Sequence, residues 1–503
     1  MKKIVSLILV VLMLSGMLLA CQKSENEAEA TSDVVAPSTP LEEIEEDPEG
    51  VLKDRIPEGE ALEALGFAGS TVKILTWDEE EAQNFPKEDS LEDPLKSKLY
   101  NHWIAIEERL SIDFDPQWMS SHNKNFSSFL TTARSDDAEY DLIQTQSLFP
   151  APLATEGRLC NLRKLGFPDL EMPWWPDSVD QWTHSGALFF IASNSSAMGI
   201  SNMAVIFVDD ETIQSKGAAS PVESVLRGVW NIEEVTNISK LFAGAAENAT
   251  VEDRYYGLAI DHVSRMDPLY YSIGFNSIVK NADGVAEFGY DDPSELEAIT
   301  KAITQFERLM TGVEVIMHAE DDPSLMNEGR CAMLLGFMQY IRQLENTEDY
   351  TVVPLPMLDD KQCDRSAESM GYRTVHRDWM DVWCMPTTTS NKALSGIVLE
   401  ANASSEYRVI GPFYYEQYLK DRYANGANGR KCFDILRASV IYDFGRAMQV
   451  AEIGAESYWR PCFWTGTAQT YGNVFASTFN NDSGARAQNL KNILDAYEKY
   501  KDN

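Results

Sequence analysis

Thr71-Val72-Lys73-Ile74-Leu75-Thr76-Trp77 is a run of β-branched and apolar residues shortly after Gly69, and it reads as the first strand of the folded part of this chain. Behind it, Leu95, Leu99, Trp103, Ile106 and Leu110 recur at helical spacing. A second strand follows near Ile112 to Trp118, a polar helix lies around Phe126 to Arg134, and Tyr140 to Gln146 forms a third strand. Strand, helix, strand, helix, strand is the order of an α/β fold in which helices cover a parallel sheet. Such sheets carry their functional loops at the carboxyl ends of the strands. Trp77 ends the first strand and Gln146 ends the third, so both are candidate binding residues.

Further along, Asp292-Pro293-Ser294-Glu295 supplies a cap, a proline in the first turn and an acid behind it, which marks a helix start. Leu296, Ile299, Ile303 and Phe306 then form an apolar stripe suited to a core. Asp321-Asp322-Pro323-Ser324 has a superficial likeness to a calcium loop but lacks the alternating oxygen ligands and the glycine, so no metal is expected there.

Upstream of the first strand the chain changes character. Lys2 and Lys3 precede an almost wholly apolar stretch, Ile4 to Leu19, the order of a secretory signal. The stretch is short for a membrane span, which needs roughly 20 residues. Leu18-Leu19-Ala20-Cys21 resembles the bacterial lipobox, which implies cleavage before Cys21 and a diacylglycerol on its thiol. From Gln22 to about Glu60 the chain is polar and acidic, with the run Glu42-Glu43-Ile44-Glu45-Glu46-Asp47. So few apolar groups cannot offset the entropy of ordering, so residues 21–69 are read as a flexible tether after a signal peptide over 1–20.

The formal net charge of −37 argues against nucleic acid or an acidic membrane surface as partner. Besides Cys21 there are Cys160, Cys331, Cys363, Cys384, Cys432 and Cys462, widely spaced and with no Cys-x-x-Cys pair. Cys331 and Cys384 sit in apolar runs that suit buried thiols, while disulfides stay open for an exported chain. Nucleophile-elbow, Walker A, dinucleotide-binding and zinc-protease motifs are absent. His102, His122, His184, His262, His318 and His376 have no ligand-like spacing. The sequence therefore points to neither an enzyme nor a cofactor.

The order of short segments after Gly69 resembles the family 1 extracellular solute-binding proteins, in the branch common among Firmicutes. The opening strand, helix and strand resemble that family's βαβ unit. Glu156-Gly157-Arg158-Leu159-Cys160-Asn161-Leu162 is similar to its Gly-x-Leu-x-(Asp/Asn)-Leu turn, and Pro173-Trp174-Trp175 to its Pro-Trp-Trp element. Met203 to Asp209, Pro221-Val222-Glu223 and Gly228-Val229-Trp230 resemble its entry into a second lobe. Met326 to Met333, Tyr350 to Pro356, Gly396 to Ala401 and Asp434-Ile435-Leu436 complete the order. Asn425-Gly426-Ala427-Asn428-Gly429-Arg430 departs from the Arg-Asp…Ser pattern frequent in relatives.

The resemblance implies a two-lobe periplasmic-binding-protein type II fold, like that of maltose-binding protein, with mixed, parallel-rich sheets. Lobe one is expected at 70–200 plus 371–445 and lobe two at 201–370 plus 446–503. It implies a monomer that captures a sugar or oligosaccharide between the lobes and hands it to the transmembrane subunits of an ABC permease, held at the membrane by the lipid on Cys21. Phe337 and Tyr340 fall where relatives offer an aromatic ring to the sugar. Arg373, Trp379 and Asp381 fall at the return crossing that borders the cleft. The rival readings are an extracellular glycoside hydrolase, which needs only two carboxylates placed by the fold, and a sensing or adhesive glycan-binding lipoprotein of the same fold.

Overall fold

In chain order the strands are β1 (Thr71–Trp77), β2 (Asp113–Met119), β3 (Leu142–Gln146), β4 (Phe190–Ile191), β5 (Ala204–Val208), β6 (Leu258–Ile260), β7 (Ile278–Lys280), β8 (Ala286–Phe288), β9 (Val315–Met317), β10 (Met333–Phe337), β11 (Thr351–Val353) and β12 (Asp381–Cys384). Six helices carry most of the argument: α1 (Pro94–Leu110), α2 (His122–Arg134), α3 (Pro293–Met310), α4 (Lys392–Ser405), α5 (Gly426–Ala438) and α6 (Tyr471–Tyr500). The computed structural model describes residues 53–77, 85–86, 92–119, 122–135, 140–193, 195–244, 253–317, 323–344, 350–377, 381–424 and 426–503. Cys21, the charge run at 42–47, Asp321-Asp322 and Trp379 lie outside them.

The opening unit forms as the sequence pattern requires. β1 pairs in parallel with β2 and β3, and α1 returns the chain between them. Asp93 caps α1 by accepting from Leu95 N at 2.7 Å, Pro94 occupies the first turn, and Ser111 stops the helix in the left-handed conformation. Leu95, Leu99, Trp103, Ile106 and Leu110 are all buried, each such side chain worth about 1.5–3 kcal/mol over exposure. α3 starts at the expected point, with the Asp292 carboxylate accepting from Ser294 N at 2.8 Å, and buries Ile299, Ile303 and Phe306.

Two five-stranded sheets result. The first has the order β2-β1-β3-β12-β4, the second β11-β5-β10-β6-β9, and β7-β8 is a separate hairpin. Each sheet is mixed. β12 runs antiparallel to β3 and β4, and β5 runs antiparallel to β10 and β11, while β6 is parallel to β10 and β9. Apolar side chains bury both faces, among them Ile74, Leu142, Val382, Val205, Phe207 and Leu335. The fold is the mixed α/β, two-lobe class that the resemblance implied.

Two boundaries differ from the sequence reading. Residues 53–69, read as tether, are already part of the fold: the buried Asp54 carboxylate accepts from both terminal nitrogens of Arg109 at 2.7 and 2.6 Å and from Ser404 Oγ at 2.6 Å. Arg408 adds a bond at 3.2 Å, Ile56 and Phe67 are buried in the core, and these cations hold the Asp54 carboxyl below its usual range against the opposing effect of burial. The single apolar anchors Ile56 and Phe67 are too sparse to register as a helical or strand pattern. Within residues 410–438, read as lobe one, Ile410, Tyr414, Tyr418, Phe433 and Leu436 share a core cluster with Leu95 and Leu99 of α1 and with Val205, Phe207 and Leu334 of the second sheet, and α5 packs on β11.

All six cysteines after Cys21 are free thiols, five of them buried and Cys363 half-buried. Burial pushes Cys432 and Cys462 up to about 12. No described helix is long and apolar enough to cross a membrane.

Candidate functional site

The chain passes between the two sheets repeatedly, and three of the passages lie side by side. Arg377 N donates to Asn202 O at 2.7 Å and Ala204 N to Val375 O at 3.0 Å. Thr374 N donates to Ser439 O at 2.8 Å, Ile441 N to Thr374 O at 2.9 Å, and the Thr374 and Ser439 hydroxyls meet at 2.7 Å. Segments 202–204, 374–377 and 439–441 are thus joined by hydrogen bonds, and the first of them runs straight into β5.

On the first sheet, Trp77 closes β1 in register with Met119, and Gln146 closes β3 in register with Asp381 at the start of β12. Below that edge runs a buried polar ladder: the Thr76 hydroxyl donates to Gln144 Oε1, and Gln144 Nε2 donates to Asp381 Oδ1. Asp381, a candidate ligand contact by sequence, thus spends one carboxylate oxygen inside the protein. Gln146 differs. Its side chain is wholly buried, and neither Oε1 nor Nε2 has a hydrogen-bond partner. A buried amide without partners costs about 1–3 kcal/mol, a penalty that a water or a ligand at this strand end would relieve.

Behind this edge, His102 joins Asn402 Oδ1 and Ser405 Oγ, each at 2.9 Å, and burial pushes its imidazole down to about 4, so it is neutral. Glu406 is buried beside Ser193 and Asn402 with Asp381 nearby. Burial first, then the Asp381 charge, push its carboxyl up to about 8. Glu406 opens a π-helical turn, Glu406–Ile410, a rare conformation that tends to accompany functional segments.

On the second sheet, Asp261 and His262 follow β6 directly, and Phe337 ends β10. The Tyr340 hydroxyl donates to Asp261 Oδ2, and the Arg265 guanidinium pairs with the same carboxylate at 2.7 Å, with all three residues buried. The Arg265 guanidinium lies 3.9 Å from the Phe337 ring centre and that of Arg377 5.1 Å. Phe337 is therefore buried and covered by cations, and Tyr340 packs its ring where a side chain on Gly336 would stand. Arg373 points away from this cluster: its terminal nitrogens donate to Gly274 O at 2.7 Å and Asn276 Oδ1 at 2.5 Å.

One residue that sequence reasoning missed stands out. Trp464 is 64% exposed, and its ring meets that of His262 edge to face at 6.3 Å. A large exposed indole beside a strand end offers a flat apolar face, the shape that matches the C–H face of a pyranose. Nothing in Pro461-Cys462-Phe463-Trp464 separates it from its buried neighbours, because its exposure depends on the helix Arg460–Thr465 ending there. Asp261, His262 and Arg265 were missed for a similar reason, since the three-residue strand before them is too short to show a period. Among the described residues, no group of three His, Cys, Asp or Glu is placed to hold a metal ion.

No protein-family model and no curated protein sequence matches the chain. Solved structures do. The ABC transporter associated binding protein from B. animalis subsp. lactis Bl-04, in complex with β-1,6-galactobiose, aligns with a TM-score of 0.54 at 12% identity, covering 84% of this chain and 98% of that one. The galacto-N-biose/lacto-N-biose I-binding protein of an ABC transporter from Bifidobacterium longum, in complex with lacto-N-biose, gives 0.53 at 11% identity over 85% and 98%. An ABC transporter solute-binding protein from Thermotoga lettingae TMO bound with α-D-tagatose gives 0.50 at 13% identity over 84% and 100%. The chain has the fold of these two-lobe binding proteins. At such identities the likeness speaks for the fold, and the ligand has to be argued from this chain's own residues.

Proposed function

We propose that this chain is an extracellular solute-binding lipoprotein of an ABC importer. It captures a sugar or oligosaccharide between its two lobes and delivers it to the transmembrane subunits of a permease, without chemical change to the sugar and as a monomer. The observation that carries the reading is the Gln146 carboxamide, buried at the carboxyl end of β3 with both its donor and its acceptor unused. One carboxamide can give and take a hydrogen bond at once, which fits the adjacent hydroxyls of a sugar. Trp464 supplies a ring on the side of the second sheet. Trp77, at the end of β1, and Trp379, which follows residues 374–377 in the sequence, belong to the same proposal. The solved structures of this fold named above hold a sugar or a disaccharide, which supports that ligand class.

The proposed lobe limits near residues 200 and 370 are supported by the crossing segments 202–204 and 374–377. Lipid on Cys21 is supported by the Leu18-Leu19-Ala20-Cys21 box, and the acidic stretch behind it gives reach from the membrane surface. A thermal-shift screen of mono- and oligosaccharides tests the ligand class. At least one sugar is expected to raise the melting temperature in a concentration-dependent way, because it binds the folded state alone. A panel of hexoses, pentoses and their di- and trisaccharides with no shift at millimolar concentration contradicts the reading.

A further inference from the structure

We infer that α6 is a strap bound to both lobes, and that the turn Gly157–Asn161 is its receptor, so that this contact sets the balance between lobe arrangements. The inference rests on the two-lobe reading and does not depend on the ligand. α6 has 30 residues, which makes it about 45 Å long at 1.5 Å per residue, enough to reach across the molecule.

Its amino half is fixed to the side of the second sheet. Gly472 N donates to Glu307 Oε1 of α3 at 2.9 Å, and α3 packs on β9. Phe479 meets Tyr290 edge to face at 4.7 Å. Arg486 is buried among the rings of Tyr290, Tyr458 and Phe479, donating to Tyr290 Oη at 3.1 Å and Phe479 O at 2.7 Å.

The other end is fixed to the side of the first sheet. Tyr497 is wholly buried, with Phe189 at 4.8 Å and His184 at 5.8 Å between ring centres, next to β4. Asn161 Nδ2 donates to Lys501 O at 2.7 Å, Asn161 N to Asn503 O at 3.2 Å, and Asn503 Nδ2 to Gly157 O at 3.0 Å. Tyr500 lies across Gly157, which has φ +73° and no room for a side chain, since a Cβ there would stand 2.4 Å from the ring. The glycine and the asparagine of this turn are thereby explained: one admits the Tyr500 ring, and the other holds the last backbone carbonyls. Neither touches the cleft residues.

Lobe closure is a hinge motion, and a stiff helix fixed at both ends resists it unless one attachment gives. The latch at residues 500–503 is the outermost part of that end, a half-buried ring and a few bonds at the surface beyond the buried Tyr497. Loosening the latch leaves that end held through Tyr497 and weakens the strap's grip on the side of the first sheet.

The test measures interlobe distance in the full chain without ligand. Nitroxides are attached at exposed Glu108 in α1 and exposed Glu223 in the helix Pro221–Arg227, through an introduced keto amino acid that spares the native thiols. Tyr500→Ala and, separately, Asn503→Ala should shift or broaden the distance distribution beyond repeat scatter, while thermal unfolding keeps a single transition. Asn503→Ala removes few contacts and carries the test if Tyr500→Ala folds poorly. Distributions superimposable on the parent in the folded variants would overturn the strap. Because no sugar enters the measurement, that result leaves the ligand proposal standing, and failure to bind any sugar leaves the strap standing.

Discussion

Replacing Gln146 with Leu separates a binding residue from a core residue by the signs of two effects. In the ligand-free protein the Gln146 amide is buried and unpartnered, so a side chain of similar volume without polar atoms removes a penalty of about 1–3 kcal/mol. At roughly 2 °C per kcal/mol for a chain of this size, the ligand-free melting temperature should hold or rise by about 2–6 °C. Binding should move the other way. Loss of two hydrogen bonds to a sugar, at about 0.5–1.5 kcal/mol each, weakens affinity about 5- to 150-fold. Gln144→Leu, two residues back on the same strand face, is the control, since it strips a partner from both Thr76 and Asp381. It should destabilise by at least about 2 kcal/mol. Titration calorimetry with a sugar that stabilises the parent, together with calorimetric melting of each variant, reads both quantities. A Gln146→Leu protein that melts clearly below the parent and binds as tightly as the parent would refute the reasoning.

Other substitutions extend the same logic. Trp464→Ala should weaken sugar binding by about 1–3 kcal/mol and leave the melting temperature unchanged, because the ring is mostly exposed. Phe337→Ala should instead destabilise by roughly 3–5 kcal/mol, since the ring is buried under Arg265, and comparison of the two melting curves decides. Glu406 has a folded-state pKa raised to about 8 by burial. Its protonated form therefore contributes stability that is complete below the unfolded value of about 4.3 and is lost as pH rises through about 8. Glu406→Gln should flatten the fall in melting temperature between those limits, and parallel curves would dismiss the effect. Cys21→Ala should leave unlipidated precursor or release protein to the medium, whereas unchanged lipid-labelled membrane protein would rule the anchor out.

The opening βαβαβ unit was legible because each of its elements carries a period. Five apolar residues of α1 recur on one face, and the seven residues of β1 are β-branched or apolar at most positions. That Trp77 and Gln146 close their strands was legible too, since the β-rich runs stop there. The roles of Asp381 and Phe337 were not. Their partners, Gln144 and Arg265, lie 237 and 72 residues away in the chain, and no local pattern records which carboxylate is already paired. Trp464 escaped because exposure is a property of the tertiary surface. The packing of α5 on β11 escaped because an apolar stripe reads the same whichever sheet it covers.

Small-angle X-ray scattering of the chain, with and without a stabilising sugar and paired with an assay for new reducing ends, tests the central claim most directly. A binding protein that closes on its ligand should show a smaller radius of gyration on addition of sugar, reversed by dialysis, with the sugar recovered intact. An unchanged radius at saturating sugar, or steady release of reducing ends from an oligosaccharide by the purified protein, would contradict it.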